Sequence, residues 1–281
     1  MIRRGYVESR YGQLHYRAAG QSVAGGPRPL LLLHQNPASS FEYEGLIAAM
    51  ATDRRVVAVD TPGYGMSDGA DRPLDMAECA ACFADALESL AFNDATGVDV
   101  YGFHTGALMA AELAIAAPET VRRVILTGLP MRNAADRAER LAQARNAPKL
   151  DEAGEVALGM ASGLWNYVVG ARTAGVPLER AARQWVDKLR TLDRSSWAYI
   201  GVWGYPYEDR LPRIGQPVLL LQPHEDLLEE SKAAARLIPD HSIVELPRFD
   251  RDIFDLPEAV DALGTQMRAF LDFPGFSGET A

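Results

Sequence analysis

The strongest constraint in this sequence is a recurrence of short apolar runs, each followed by a stretch with helical spacing. Leu30-Leu31-Leu32-Leu33, Val56-Val57-Ala58-Val59, Val98-Asp99-Val100-Tyr101, Val124-Ile125-Leu126 and Val218-Leu219-Leu220-Leu221 leave almost no polar face for water. Strands covered by helices on both sides read this way. Residues 41–50, 76–92, 107–116 and 231–237 carry helical periodicity between them, and a last strand at 241–246 precedes a helix over 257–271. Alternation of this kind predicts βαβ units, hence an α/β protein with a mostly parallel sheet flanked by helices. Ahead of it, 5–9 and 14–18 read as an antiparallel lead-in turning near Tyr11-Gly12.

One long segment breaks the alternation. From 131 to 210 there is no buried-strand run, helical patterns persist, and all four tryptophans, Trp165, Trp185, Trp197 and Trp203, fall inside. A helical cap inserted at 131–210 is expected, dividing the core into a first part, 1–130, and a second, 211–281. Trp165, Trp197 and Trp203 are candidates for the inner wall of a substrate pocket, although a small helical unit also needs large residues for its own core. The tail from 273 to 281 is expected to fray.

The 28 Lys and Arg face 38 Asp and Glu, a net charge of −10, which repels nucleic acid and anionic membrane surfaces. No stretch approaches the length of a membrane span, so the expectation is a cytoplasmic protein, monomer or homodimer, whose partner is a small-molecule substrate. Cys79 and Cys82 form a C-x-x-C pair inside an alanine-rich helical pattern; without further ligands they read as small buried hydrophobes. The histidines show no metal-ligand spacing, and neither metal nor cofactor is expected.

The segment 98–114 reads as a buried strand, a sharp turn and an alanine-rich helix, with Gly102-Phe103-His104-Thr105-Gly106 at the turn. Strand and helix approach so closely there that a Cβ at either glycine would clash, and the central residue takes an unusual backbone conformation. In this setting the segment resembles the nucleophile elbow, G-x-S-x-G, of the α/β-hydrolase family, with His104 in the place of serine. Three other stretches fall where that family puts them. His34-Gln35-Asn36-Pro37 is similar to its HGxP oxyanion segment, with Gln35 for the glycine, and Asp60-Thr61-Pro62-Gly63-Tyr64-Gly65-Met66-Ser67 nearly matches D-x-P-G-x-G-x-S. Gln222-Pro223-His224-Glu225-Asp226 matches the strand end that delivers the triad acid, with Asp226 the better match and Glu225 the alternative.

The ending departs from the family. Where members have L-P-x-x-G-H, this chain has Leu246-Pro247-Arg248-Phe249-Asp250-Arg251, which puts Arg251 in register with the general base. Serine and histidine of the ordinary triad are both absent, so its mechanism cannot run. Neutral imidazole carries its own lone pair, with an unperturbed pKa near ~6.5. His104 can therefore attack an acyl group without a separate base, or act as base toward water or a carbon acid.

The resemblance implies oxyanion donors at the amides of Asn36 and Thr105. Arg251 is expected to pair with Asp226, or else to bind an acidic group of the substrate. His34, Gln35, Phe103 and His224 are further pocket candidates, His224 as a displaced base; His15 and His241 lie on strands remote from the cleft. The expected function is cofactor-independent hydrolysis of a small, largely apolar ester or acyl compound. A lyase or isomerase using His104 as base, and a non-catalytic binding protein, are the competing readings.

Overall fold

The computed structural model describes residues 1–90 and 97–273. Eight strands form one sheet in the order β1-β2-β4-β3-β5-β6-β7-β8. They are β1 (Arg3–Ser9), β2 (Gly12–Ala19), β3 (Leu30–Leu33), β4 (Val56–Val59), β5 (Val98–Phe103), β6 (Val121–Thr127), β7 (Val218–Pro223) and β8 (His241–Leu246). Pairing is parallel from β4 through β8, and β2 runs antiparallel to both β1 and β4.

Successive side chains of a strand point to opposite faces, and the apolar runs divide accordingly. Leu31, Leu33, Val57 and Val59 join one core with α2 (Met76–Ser89) and α3 (Thr105–Ala116). Leu30, Leu32, Val56 and Ala58 join another with α1 (Glu44–Met50) and α10 (Pro257–Asp272). Neither face meets water, and each fully buried Leu or Val contributes about 1.5–3 kcal/mol.

Helix α2 opens on a capping box, in which the Asp75 side chain accepts from the Glu78 amide and the Glu78 side chain accepts from the Asp75 amide, satisfying two donors that a helix start leaves open. Positions 91–92, where the sequence pattern continues this helix, lie outside the described residues, as does 274–281 of the tail. Cys79 and Cys82 are buried on α2, and burial pushes the Cys82 thiol up to about 11. Both therefore pack as apolar groups.

Between β6 and β7 the chain runs through α4 (Ala134–Arg145), α5 (Glu155–Trp165), α6 (Leu178–Leu189), α7 (Trp197–Trp203) and α8 (Tyr207–Arg210), and α9 (Leu228–Ala235) follows β7. Side chains of α6 and α7 reach down to the loop after β3. Asp187 accepts from the Ser39 hydroxyl at 2.8 Å, Lys188 donates to the Pro37 carbonyl at 2.9 Å, and Tyr199 donates to the Asn36 carbonyl at 2.8 Å. No helix among the described residues is long and apolar enough to cross a membrane.

Candidate active site

His104 alone makes the turn between β5 and α3, at φ 51° and ψ −112°. A positive φ is unfavourable for a residue with a Cβ, and the surroundings hold it there. Its amide donates to the Thr127 carbonyl at 2.8 Å and its carbonyl accepts from the Ala107 amide at 2.9 Å. A Cβ on Gly102 would strike the Gly106 carbonyl, and one on Gly106 the Leu33 carbonyl. These glycines let α3 press against the sheet and aim its N-terminus outward. The imidazole stacks on Phe103 at 3.9 Å between centroids and stays 25% exposed.

The ring meets Glu225, with Nε2 and Oε2 2.6 Å apart. A chain of hydrogen bonds behind this contact fixes its polarity. The Gly128 amide, which can only donate, gives its hydrogen to Gln222 Oε1 at 3.0 Å. Gln222 must then present Nε2 to its other neighbours, the Pro223 carbonyl and Glu225 Oε1, each at 3.2 Å. Glu225, a carboxylate accepting at both oxygens, takes the Nε2 hydrogen of His104. In the neutral imidazole the lone pair is then left on Nδ1, an assignment that follows from the network and not from the heavy atoms alone. Gly128 has φ +70°, and a Cβ there would strike the His104 ring and come 2.6 Å from Glu225 Oε1.

Beside the ring lie the N-terminus of α3 and the loop after β3. No protein acceptor is recorded among the described residues for the amide of Thr105 or of Asn36; a helix start leaves its first amides in this state. The Asn36 side-chain amide is buried and neither of its polar atoms has a partner.

The loop is braced from beneath. His34 donates from Nδ1 to the Gln35 carbonyl at 2.6 Å and accepts the Thr61 amide at Nε2, 2.8 Å. Gln35 is held by Glu42, which accepts its backbone N–H at 3.2 Å and its side-chain amide at 2.9 Å. Burial pushes the Glu42 carboxyl up, opposed by Lys188 and by these bonds. Asp60 takes His15 Nδ1 and the Ser40 and Met66 amides. Burial opposes its ionisation, yet the His15 bond and the Ser40 amide help hold its pKa down to about 2.

A cavity of about 690 Å³ opens over the imidazole, bounded by the Asn36-Pro37 loop, Thr105, Trp203 of α7 and the loops after β6, β7 and β8. A smaller one of about 100 Å³ adjoins it through shared walls that include Gln35, His104, Tyr167 and Lys188. Four basic side chains, Arg132, Arg140, Lys188 and Arg251, line the larger space. It is thus more polar than a site for a largely apolar compound would be.

A family model described as alpha/beta hydrolase fold matches residues 28–152. Among solved structures, the enol-lactonase from Burkholderia xenovorans LB400 superposes with a TM-score of 0.76 at 19% identity, covering 96% of this chain and 100% of that one. An epoxide hydrolase from Vigna radiata does so at 0.75 and 17%, covering 96% and 97%. The chain has the α/β-hydrolase fold. Its curated relatives match over less of their length. Epoxide hydrolase 4 of Mus musculus is 30% identical over 120 residues, 42% of this chain but 32% of the relative. Juvenile hormone epoxide hydrolase of Bombyx mori is 37% identical over 101 residues, 33% of this chain and 21% of the relative.

Within the α/β-hydrolase fold, several expected residues take other places. The carboxylate on the elbow residue is Glu225, whereas Asp226 points to solvent at the cavity rim. The reason is local: Glu225 follows β7 closely enough to be caught by Gln222, and its extra methylene carries it to the ring. Arg251 does not pair with Asp226. It donates to the Tyr167 carbonyl at 2.7 Å, lies 4.5 Å from that ring's centroid and has Asp252 at 3.6 Å. Those contacts turn its guanidinium toward the helices between β6 and β7.

His224 lines the cavity but pairs with Glu245 at 2.7 Å, so it does not serve the elbow. His34 is fully buried behind the loop. Of the tryptophans, Trp203 lines the cavity; Trp165 packs edge-on against Trp185, and Trp197 lies under Arg194 beside a separate small cleft. Sequence reasoning missed Gly128, Gln222 and Lys188. A glycine directly after β6 was the one available signal.

Proposed function

We propose that this α/β-hydrolase-fold protein is a cofactor-independent hydrolase of a small ester or related acyl compound, with His104 as nucleophile. The observation that carries this is the 2.6 Å contact of His104 Nε2 with Glu225, in a ring that borders a cavity beside two unengaged amides. Imidazole oriented in this way attacks through Nδ1. The acyl carbonyl oxygen, as it gains charge, is met by the Asn36 and Thr105 amides and the positive end of α3.

Nδ1 bonds to the acyl carbon and the alkoxide departs. The Nε2 proton passes to Glu225 and on to the alkoxide, giving the alcohol and a neutral acylimidazole. Water then adds to the acyl carbon, Nδ1 leaves, and the second water proton returns to the imidazole as the acid is released. Serine needs a base because an alcohol is a poor nucleophile; an imidazole with a carboxylate behind it does not. The loss of both serine and the ordinary histidine is therefore chemically consistent. The epoxide-hydrolase and lactonase relatives support hydrolysis as the reaction class.

A p-nitrophenyl ester panel with acid quench and intact-mass analysis tests the reading. Wild type is expected to show a burst and a mass increase of one acyl group, and His104→Ala neither. Turnover without an adduct would make His104 a base toward water or a carbon acid. Ligand binding without turnover would make the protein a binding member of the fold.

A further inference from the structure

The basic groups of the cavity differ in how far they are already committed. Arg251 is held by the Tyr167 carbonyl and ring and by Asp252. Arg132 has Glu230 at 3.1 Å. Arg140 is exposed and lies over the Trp203 ring. Lys188 is different: it is half-buried, and its single recorded hydrogen bond goes to the neutral Pro37 carbonyl.

An ammonium has three hydrogens to donate, so two remain. Among the described residues no carboxylate is paired with Lys188 at ion-pair distance, and its charge acts on Glu42 and Asp187 from farther away. The nearest candidates are taken, Glu42 by both donors of Gln35 and Asp187 by the Ser39 hydroxyl. Burial pushes both of those carboxyls up, and the charge of Lys188 opposes the shift in each. A cation drawn partly out of water with a neutral carbonyl as its recorded hydrogen-bond acceptor is incompletely solvated, and here it borders both cavities where they meet His104.

Two further features agree. The Asn36 amide is buried beside it with both polar atoms unmatched, and Pro37, which Lys188 touches, is its neighbour. The sheet order puts the loop after β3 on one side of the elbow strand β5, and the loops after β7 and β8, which bring Asp226 and Asp250, on the other. Lys188, bonded to the loop after β3, stands on the first side; Asp226 lines only the larger cavity, while Asp250 lines both.

We propose that the acyl substrate carries a second group, a carboxylate, which seats on the Lys188 ammonium beside Asn36. This rests on the hydrolase reading for its chemistry but not for its binding. The substrate class is the monoester of a short dicarboxylic acid. Lys188 binds the end that does not react.

The test compares p-nitrophenyl monoesters of succinate and glutarate with neutral p-nitrophenyl butyrate, in wild type, Lys188→Met, Lys188→Arg and Arg140→Met. Wild type should favour an anionic ester over the neutral one in kcat/KM by about tenfold or more. Lys188→Met should erase that ratio, Lys188→Arg keep part of it, and added salt lower it. An unchanged ratio in Lys188→Met, or a ratio that falls in Arg140→Met instead, overturns the assignment.

Calorimetric titration with succinate and glutarate themselves separates the two readings. Binding to wild type that is lost in Lys188→Met, with no ester hydrolysed, keeps the anion site while the hydrolase reading fails. Hydrolysis of neutral and anionic esters alike, with no dicarboxylate binding, does the reverse.

Discussion

Replacing Glu225 by glutamine preserves shape and should nevertheless disable the site, because the replacement amide has only one comfortable orientation. Gln222 is pinned by the Gly128 amide so that its Nε2 donates toward position 225. The new amide must therefore offer its oxygen to Gln222 and its NH2 to His104. The ring then accepts at Nε2 and carries its hydrogen on Nδ1, which removes the lone pair that the reaction uses.

Turning the amide over would set two NH2 groups against each other, leaving a buried donor unmatched at about 1–3 kcal/mol. Loss of the charged acceptor costs about 1.5–3 kcal/mol more. Together these correspond to a fall of roughly 10²- to 10⁴-fold in kcat, at 1.36 kcal/mol per decade. The assay is single-turnover acylation with the best ester of the panel, alongside 15N NMR of the His104 ring. Wild type should show Nε2–H and Glu225→Gln Nδ1–H. Adding Gln222→Met to Glu225→Gln frees the amide to rotate and should recover part of the rate. A Glu225→Gln enzyme within about threefold of wild type, or an Nδ1–H ring in wild type, would refute the reasoning.

Gly128→Ala places a side chain at φ +70° against the imidazole and 2.6 Å from Glu225 Oε1. It should lower stability by about 1–2 kcal/mol for the backbone alone and reduce kcat disproportionately; a variant that loses stability but keeps full activity would show that the His104–Glu225 contact is dispensable. Asp60, held at about 2 and thus below the ordinary carboxylate value, contributes stability that is complete above about pH 4 and is lost as pH falls toward 2. That contribution is about 2 kcal/mol, so urea midpoints for wild type should drop across this window more steeply than for Asp60→Asn. Parallel slopes would contradict it.

The architecture was legible because it rests on patterns that local chemistry enforces. Four-residue apolar runs such as Leu30–Leu33 leave no polar face for water, so they fold as strands covered on both sides. The tight turn between β5 and α3 was legible for a similar reason: Gly102 and Gly106 can have no Cβ where a helix presses on a sheet, and that requirement is written in the residues themselves. What stood at the turn, His104, was read directly.

The partner of His104 was decided only in three dimensions. Glu225 and Asp226 are adjacent in sequence and chemically alike, and the choice between them depends on Gln222, whose orientation is set by the amide of Gly128, the residue just past the neighbouring strand β6. Arg251 matched the base position by register, but its long side chain reached the carbonyl and ring of Tyr167, in the helical segment between β6 and β7. Lys188 gave no signal, since one lysine in an amphipathic helix looks like any solvated charge until that helix is laid over the loop after β3. Sequence fixes what each segment must bury or bend; which side chains then share a site depends on contacts between segments far apart in the chain, and those exist only once the sheet and its covering helices have come together.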